Sequence, residues 1–203
     1  MGCLKFAIKI IIVVLAIIGF KVIGGFDFIR NLPEKFHLFE KPSQETLIEK
    51  SMDIADFSKI PDEYELDKTA NLLGYKAVLA EHKASGQKFA VVNPKDKVLL
   101  TKKDFKDGSA EKKIGEFNKK LSYNYIRLEN LKITKQGNFK SMGQTIPYAK
   151  FEADVKNLPI KKIEGIIGVA EDKEQESTKI LLAAAEGGKY SQILTEQFFK
   201  KVK

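Results

Sequence analysis

The densest grouping of chemically capable side chains in this 203-residue chain is the alternating run Lys150-Phe151-Glu152-Ala153-Asp154-Val155. On an extended strand, Glu152 and Asp154 share one face, where two carboxylates could hold a cation or divide acid and base roles. The same alternation is also what the wet side of a half-buried strand requires, and that is the reading taken here. Histidine is scarce: His82 stands in the C-terminal part and His37 well before it, so spacing suggests neither a multi-histidine site nor a Ser/Cys–His unit. Cys3 is the only cysteine, which excludes an intramolecular disulfide and any multi-cysteine metal or redox site. It also reads as an unmodified thiol. Phe6 stands where a myristoylation signal wants Ser or Thr, and the apolar run that a bacterial lipoprotein cysteine would follow comes after Cys3 instead. Gly187-Gly188-Lys189 lacks the full phosphate-loop pattern and reads as a loop before a helix. These residues define no catalytic, cofactor-binding or metal-ligating set, and the expectation is a protein that is not an enzyme and carries no cofactor.

Charge divides the chain. Residues 27–70 hold six Lys/Arg against eleven Asp/Glu, whereas residues 71–203 hold 26 against 16. With Tyr123, Tyr125 and Tyr148 present, a basic domain raises the question of nucleic acid. Lys and Glu alternate locally, arginine is rare and no reading motif occurs, so no nucleic acid is expected. A basic surface of this kind suits acidic lipid headgroups or an acidic partner protein.

The stretch Phe6 to Phe26 is apolar apart from Lys9 and Lys21. Its roughly 21 positions match the ~20 that a bilayer-crossing helix needs, with both lysines near enough to the ends to reach headgroups. A cleaved signal peptide over Lys5, Lys9 and Ile10 to Phe20 and a buried or peripheral helix are the competing readings, but no convincing small-x-small site follows Phe20, so an uncleaved signal-anchor is expected, with the lipid bilayer as partner through residues 6–26. The expected organisation is a transmembrane anchor over 1–26, an acidic and partly helical connector over 27–70, and a basic α+β domain over 71–203. Lysines flank the span almost evenly, and the domain is assigned to the extracytoplasmic side of a single-pass membrane protein.

Element signals are clearer in the C-terminal part. Ser43 caps a short helix through about Ala55, with Leu47, Ile48, Ser51, Met52 and Ala55 near one face. Gly74–Glu81 and Gln87–Asn93 flank Ala84-Ser85-Gly86 as a hairpin. Val98-Leu99-Leu100 suggests a brief strand. Ser109 caps an amphipathic helix carrying Ala110, Ile114, Phe117 and Leu121. Strands are expected over Tyr125–Thr134, Ile146–Val155, Ile163–Ala170 and Thr178–Ala185. The first of these changes phase between Leu128 and Leu131, which calls for a bulge or face switch near Glu129-Asn130. Lys135–Asn138 and Glu171–Glu176 read as polar connections. A last helix capped by Ser191 places Leu194, Phe198 and Val202 on one stripe, flanked by Ile193 and Phe199. The fold class is α+β: an N-terminal transmembrane helix, then a largely antiparallel sheet of about six strands packed with helices.

The segments Gly74–Asn93, the helix through Phe117 and Leu121, Ile146-Pro147-Tyr148-Ala149-Lys150-Phe151-Glu152, and Tyr190-Ser191-Gln192-Ile193-Leu194 resemble, in order, the Mog1/PsbP-like superfamily over about residues 70–203. The resemblance implies an accessory protein of a membrane complex or a partner of a small GTPase, and transfers no functional residue. The expected function is a membrane-tethered, non-enzymatic domain that binds a protein or envelope component. The alternatives are a small-ligand or lipid-binding domain with a cavity between helix and sheet and, behind it, an enzyme of unknown type.

Overall fold

A computed structural model describes residues 42–72, 75–94, 100–114, 127–156, 161–172 and 177–203. In chain order the elements are α1 (Gln44–Ser51), β1 (Tyr64–Leu72), β2 (Tyr75–His82), β3 (Lys88–Asn93), α2 (Lys102–Lys106), α3 (described over 109–114), β4 (Arg127–Ser141), β5 (Gln144–Lys156), β6 (Lys162–Asp172), β7 (Ser177–Glu186) and α4 (Gln192–Lys201). The strands form one antiparallel sheet of seven in the order β1-β2-β3-β7-β6-β5-β4.

The central strands are apolar at almost every position, because both of their faces are covered. Val78, Ala80, Phe89, Val91, Ile166, Leu181 and Ala183 point to a first face, where α1 and α4 add Leu47, Phe198 and Phe199. Their sequence neighbours Ala77, Leu79, Ala90, Val92, Ile167, Ile180 and Leu182 point to the second face, against Leu100, Phe105 of α2, and Ala110 and Ile114 of α3. An aromatic cluster fills the space under α4. Phe198 stacks on Phe89 with centroids 4.4 Å apart, Phe199 stacks on Phe139 at 5.4 Å, and Tyr64 lies 5.2 Å from Phe198. The Tyr64 hydroxyl donates to the Leu194 carbonyl at 3.0 Å, and burial, followed by the nearby Glu63, pushes its pKa up to about 12.

Several expectations are met locally. Ser43 and Ser191 cap α1 and α4, accepting from the Thr46 and Leu194 amides. The ladder between β4 and β5 shifts between Glu129 and Lys132, and Asn130 takes φ 50°, the face switch that the hydrophobic phase change requires. Ile193, expected to flank the apolar stripe, is 70% exposed.

The fold class needs correction on several counts. Among the described residues the sheet has seven strands, not about six, because β1 begins within the stretch 27–70 whose composition reads as connector and runs on to Leu72. Its pattern is hard to see: a register shift between Leu66 and Lys68 breaks the alternation. Lys135–Asn138 is not a connection but the middle of β4. Gly137 there marks a close approach, since an added Cβ would sit 2.6 Å from the hydroxyl of Tyr148, its cross-strand partner. The real turn is Met142-Gly143, where φ of 50° and 68° match a two-residue hairpin loop of the primed type. Residues 102–106 are helical, while 98 and 99 lie outside the described residues. Ser109 does not cap α3: its amide donates to Asp107 Oδ1 at 2.9 Å and its hydroxyl to Asp104 Oδ1 at 3.0 Å.

The membrane expectation is also corrected. Among the described residues no helix is long and apolar enough to cross a membrane. The longest helix described in full, α4, has ten residues and packs on the sheet, whereas a span needs about 20. Residues 6–26, on which the anchor, the bilayer partner and the extracytoplasmic placement rested, lie outside the described residues, as do Cys3 and His37. Membrane tethering is therefore withdrawn from the functional reading.

Two outcomes test this packing. Phe198→Ala should lose about 3–5 kcal/mol of stability in urea unfolding, the usual range for emptying a buried aromatic site; a loss below ~1 kcal/mol would mean that the cluster does not anchor α4. At α2, burial pushes the Asp104 carboxyl up, but bonds from Lys113, the Thr101 amide and hydroxyl, and Ser109 outweigh it and hold the pKa below the ordinary value. A depressed pKa stabilises above the unfolded value of about 4, and that stability fades as pH falls through the folded value. Asp104→Asn should thus destabilise at neutral pH, with the gap to the unsubstituted chain narrowing below about pH 4. A constant gap in urea titrations across that range would contradict the assignment.

Candidate functional site

Past Tyr148, the first face of β5 stops being covered. Alternation places Lys150, Glu152 and Asp154 on the same side as Ile146 and Tyr148, and the ladder sets Lys132 of β4 opposite Glu152, Glu164 of β6 on its other side, and Lys162 opposite Asp154. The result is a field of interleaved charge at one end of the sheet. An open concavity of about 440 Å³ is lined by Glu152, Lys161, Lys162, Ile163, Glu164, Glu186, Gly187 and Gly188. A neighbouring one of about 340 Å³ is lined by Asn130, Lys132, Glu152, Ala153, Asp154 and Lys162. The two share Glu152 and Lys162 and make one groove running from β4 to the loop before α4.

Several contacts fix its walls. Asn130 Nδ2 donates to Asp154 Oδ2 at 2.7 Å, so the residue that switches the strand's face also holds a carboxylate of the groove. The Gly188 amide donates to Glu164 Oε1 at 2.8 Å. Lys150 lies 3.7 Å from Glu164 and 5.3 Å from the centroid of the Tyr190 ring. Burial raises the Tyr190 pKa strongly, against the Thr195 hydroxyl, which lowers it, so the phenol stays protonated and donates to Gln192 Oε1 at 2.8 Å.

Tyr190 is placed by a buried amide. Gln87, fully buried, accepts from the Ser191 amide at 2.8 Å and donates to the Ser191 carbonyl at 3.1 Å and the Thr195 hydroxyl at 2.8 Å. One side chain of the β2–β3 connection thereby satisfies the first turn of α4, about a hundred residues away, and sets where the loop 187–190 meets the sheet.

The paired carboxylates Glu152 and Asp154 do share a face, and a third, Glu164, stands directly across the ladder from Glu152. Among the described residues no group of three or more His, Cys, Asp or Glu could hold a metal ion. The Gly187–Lys189 loop does precede α4, and its Gly188 amide is taken by a carboxylate. Tyr148 is buried against Phe139, which removes it as a stacking platform, and Tyr123 and Tyr125 lie outside the described residues. The structure also brings together a pair that spacing did not suggest. In the β2–β3 turn, His82 Nδ1 accepts from the Ser85 amide at 3.1 Å and lies 2.9 Å from its hydroxyl. Because the amide donates to Nδ1, this contact locks the turn, and among the described residues no carboxylate orients the ring's other nitrogen. The lysine side of the groove was missed because a lysine in a strand carries no spacing signal of its own.

This is a sheet domain layered with helices on both faces and bearing an open, mixed-charge groove. No protein-family model matches the chain, and no curated protein matches it in sequence.

The positioning role of Gln87 is testable. Gln87→Leu keeps the volume but strands the Ser191 and Thr195 groups, and should cost about 1–3 kcal/mol in urea unfolding. An unchanged midpoint would show that the network does not dock α4.

Proposed function

We propose that this chain is a non-catalytic domain that binds another protein through the charged groove at the uncovered end of the sheet. The single observation that carries the reading is the groove itself: open and lined by both lysines and carboxylates, with aromatic side chains filling the interior beneath α4. Enzymes and small-ligand sites gather a few polar groups inside a mostly apolar, enclosed concavity. A surface of interleaved charge suits recognition of a complementary charged surface, where it contributes orientation and association rate. The Mog1/PsbP-like resemblance in element order is compatible with such a role and remains part of the same proposal.

In-cell crosslinking at native expression tests it. Glu152 makes no hydrogen bond or ion pair among the described residues, and its reversal exchanges a like-charge pairing with Glu164 for one with Lys132, so Glu152→Lys should still fold and lose its crosslinked protein by about tenfold or more. An unchanged set of crosslinked proteins, in this variant and in Lys162→Glu, would defeat the reading.

A further inference from the structure

Among the described residues, the two outer edges of the sheet are finished differently. At β1, the Gln44 side chain accepts the Leu66 amide and donates to the Leu66 carbonyl, both at 2.8 Å. A side-chain amide there occupies the place of a neighbouring strand, and the adjacent register shift twists the rest of that edge. At β4, the ladder to β5 runs without interruption from Lys135 to Ser141. The two-residue Met142-Gly143 loop makes Ser141 and Gln144 a hydrogen-bonded pair, so alternation turns the N–H and C=O groups of Gln136, Asn138 and Lys140 outward. All three residues are exposed.

Charge selects what that edge would accept. Lys132 and Lys135 are exposed and have no ion-pair partner among the described residues. Lys135 also stands directly opposite Lys150, and since Lys150 already has Glu164 at 3.7 Å, the charge of Lys135 is the one left for a partner. Lysines on an edge disfavour pairing with neutral strands and with a second copy, which would bring the same lysines. They favour an acidic one.

We propose that residues 135–141 of β4 take up an extended, acidic segment of a partner polypeptide as an eighth strand, held by backbone pairing and by Lys132 and Lys135. The proposal rests on the protein-binding reading and gives the chemistry of the partner. The β4 residues Asn130 and Lys132 also line the charged groove, so the added strand would lie along its rim.

The test titrates the full chain with a fluorescent peptide of about eight residues alternating Glu and Val, and with its Lys-for-Glu counterpart, reading anisotropy and amide hydrogen exchange. The acidic peptide should bind and slow exchange over residues 135–141, and the basic one should not. Gln136→Pro removes one outward N–H while leaving the β5 ladder intact, and should weaken binding about tenfold or more. The double variant Lys132→Glu, Lys135→Glu should do the same, which decides the matter if the proline variant fails to fold. The proposal is overturned if the acidic peptide does not bind, binds the charge-reversed chain equally well, protects a different region, or if sedimentation shows the free chain pairing with itself through this edge. If the peptide fails while Glu152→Lys still loses its crosslinked protein, strand addition alone falls; if that loss is absent too, the binding reading falls with it.

Discussion

Phe198 and Phe199 are adjacent in sequence and both point at the sheet, one onto Phe89 near its middle and the other onto Phe139 near the β4 edge. That contact fixes the position and tilt of α4 across strands that belong to both halves of the chain, and much else depends on it. The helix end can then close against Asp56 through two backbone bonds with Lys203, and the Val202 carbonyl can accept from Met142 in the β4–β5 turn. The last residues of the chain therefore tie α1, its following turn and the long hairpin to one another. Aromatic rings suit this task because each covers a large apolar area with few rotatable bonds, so little conformational entropy is lost on burial.

The groove begins where the core beneath α4 ends. Ile146 and Tyr148 of β5 belong to that core, whereas Glu152 and Asp154, further along the same strand, do not. The uncovered positions must face water, so they are charged, and antiparallel pairing sets them in rows with the charges of β4 and β6. The opposite side of the same strands remains apolar at Phe151, Ala153 and Val155, which gather with Ile163 and Ala184 in a separate small cluster. A strand can thus carry a core on one side and a recognition surface on the other without a change in its backbone.

Much of this was legible residue by residue. The caps at Ser43 and Ser191, the helical stripe ending in Phe198 and Val202, the hairpin around Ser85-Gly86 and the phase change at Asn130 all depend on neighbours within a few positions. The misses share a physical cause. β1 was hidden because an edge strand has one partner and little apolar demand, and a bulge erased its period. Gly137 looked like a turn residue, yet it makes room for the Tyr148 ring across the strand pair. Ser109 has the right chemistry for a cap, but Asp104, placed by its own capping box, takes the hydroxyl.

By itself the sequence determined the class, α+β with a largely antiparallel sheet, the starts of two helices, and the alternation that puts Glu152 and Asp154 on one face. These are consequences of backbone periodicity and capping, which act over a few residues. Only the tertiary structure decided that seven strands join, that both faces of the central strands are covered, and that lysines from β4 and β6 surround those carboxylates. Each of these is set by which strands become neighbours, and strand order depends on contacts between residues as far apart as Gln87 and Thr195. No local pattern records such distances.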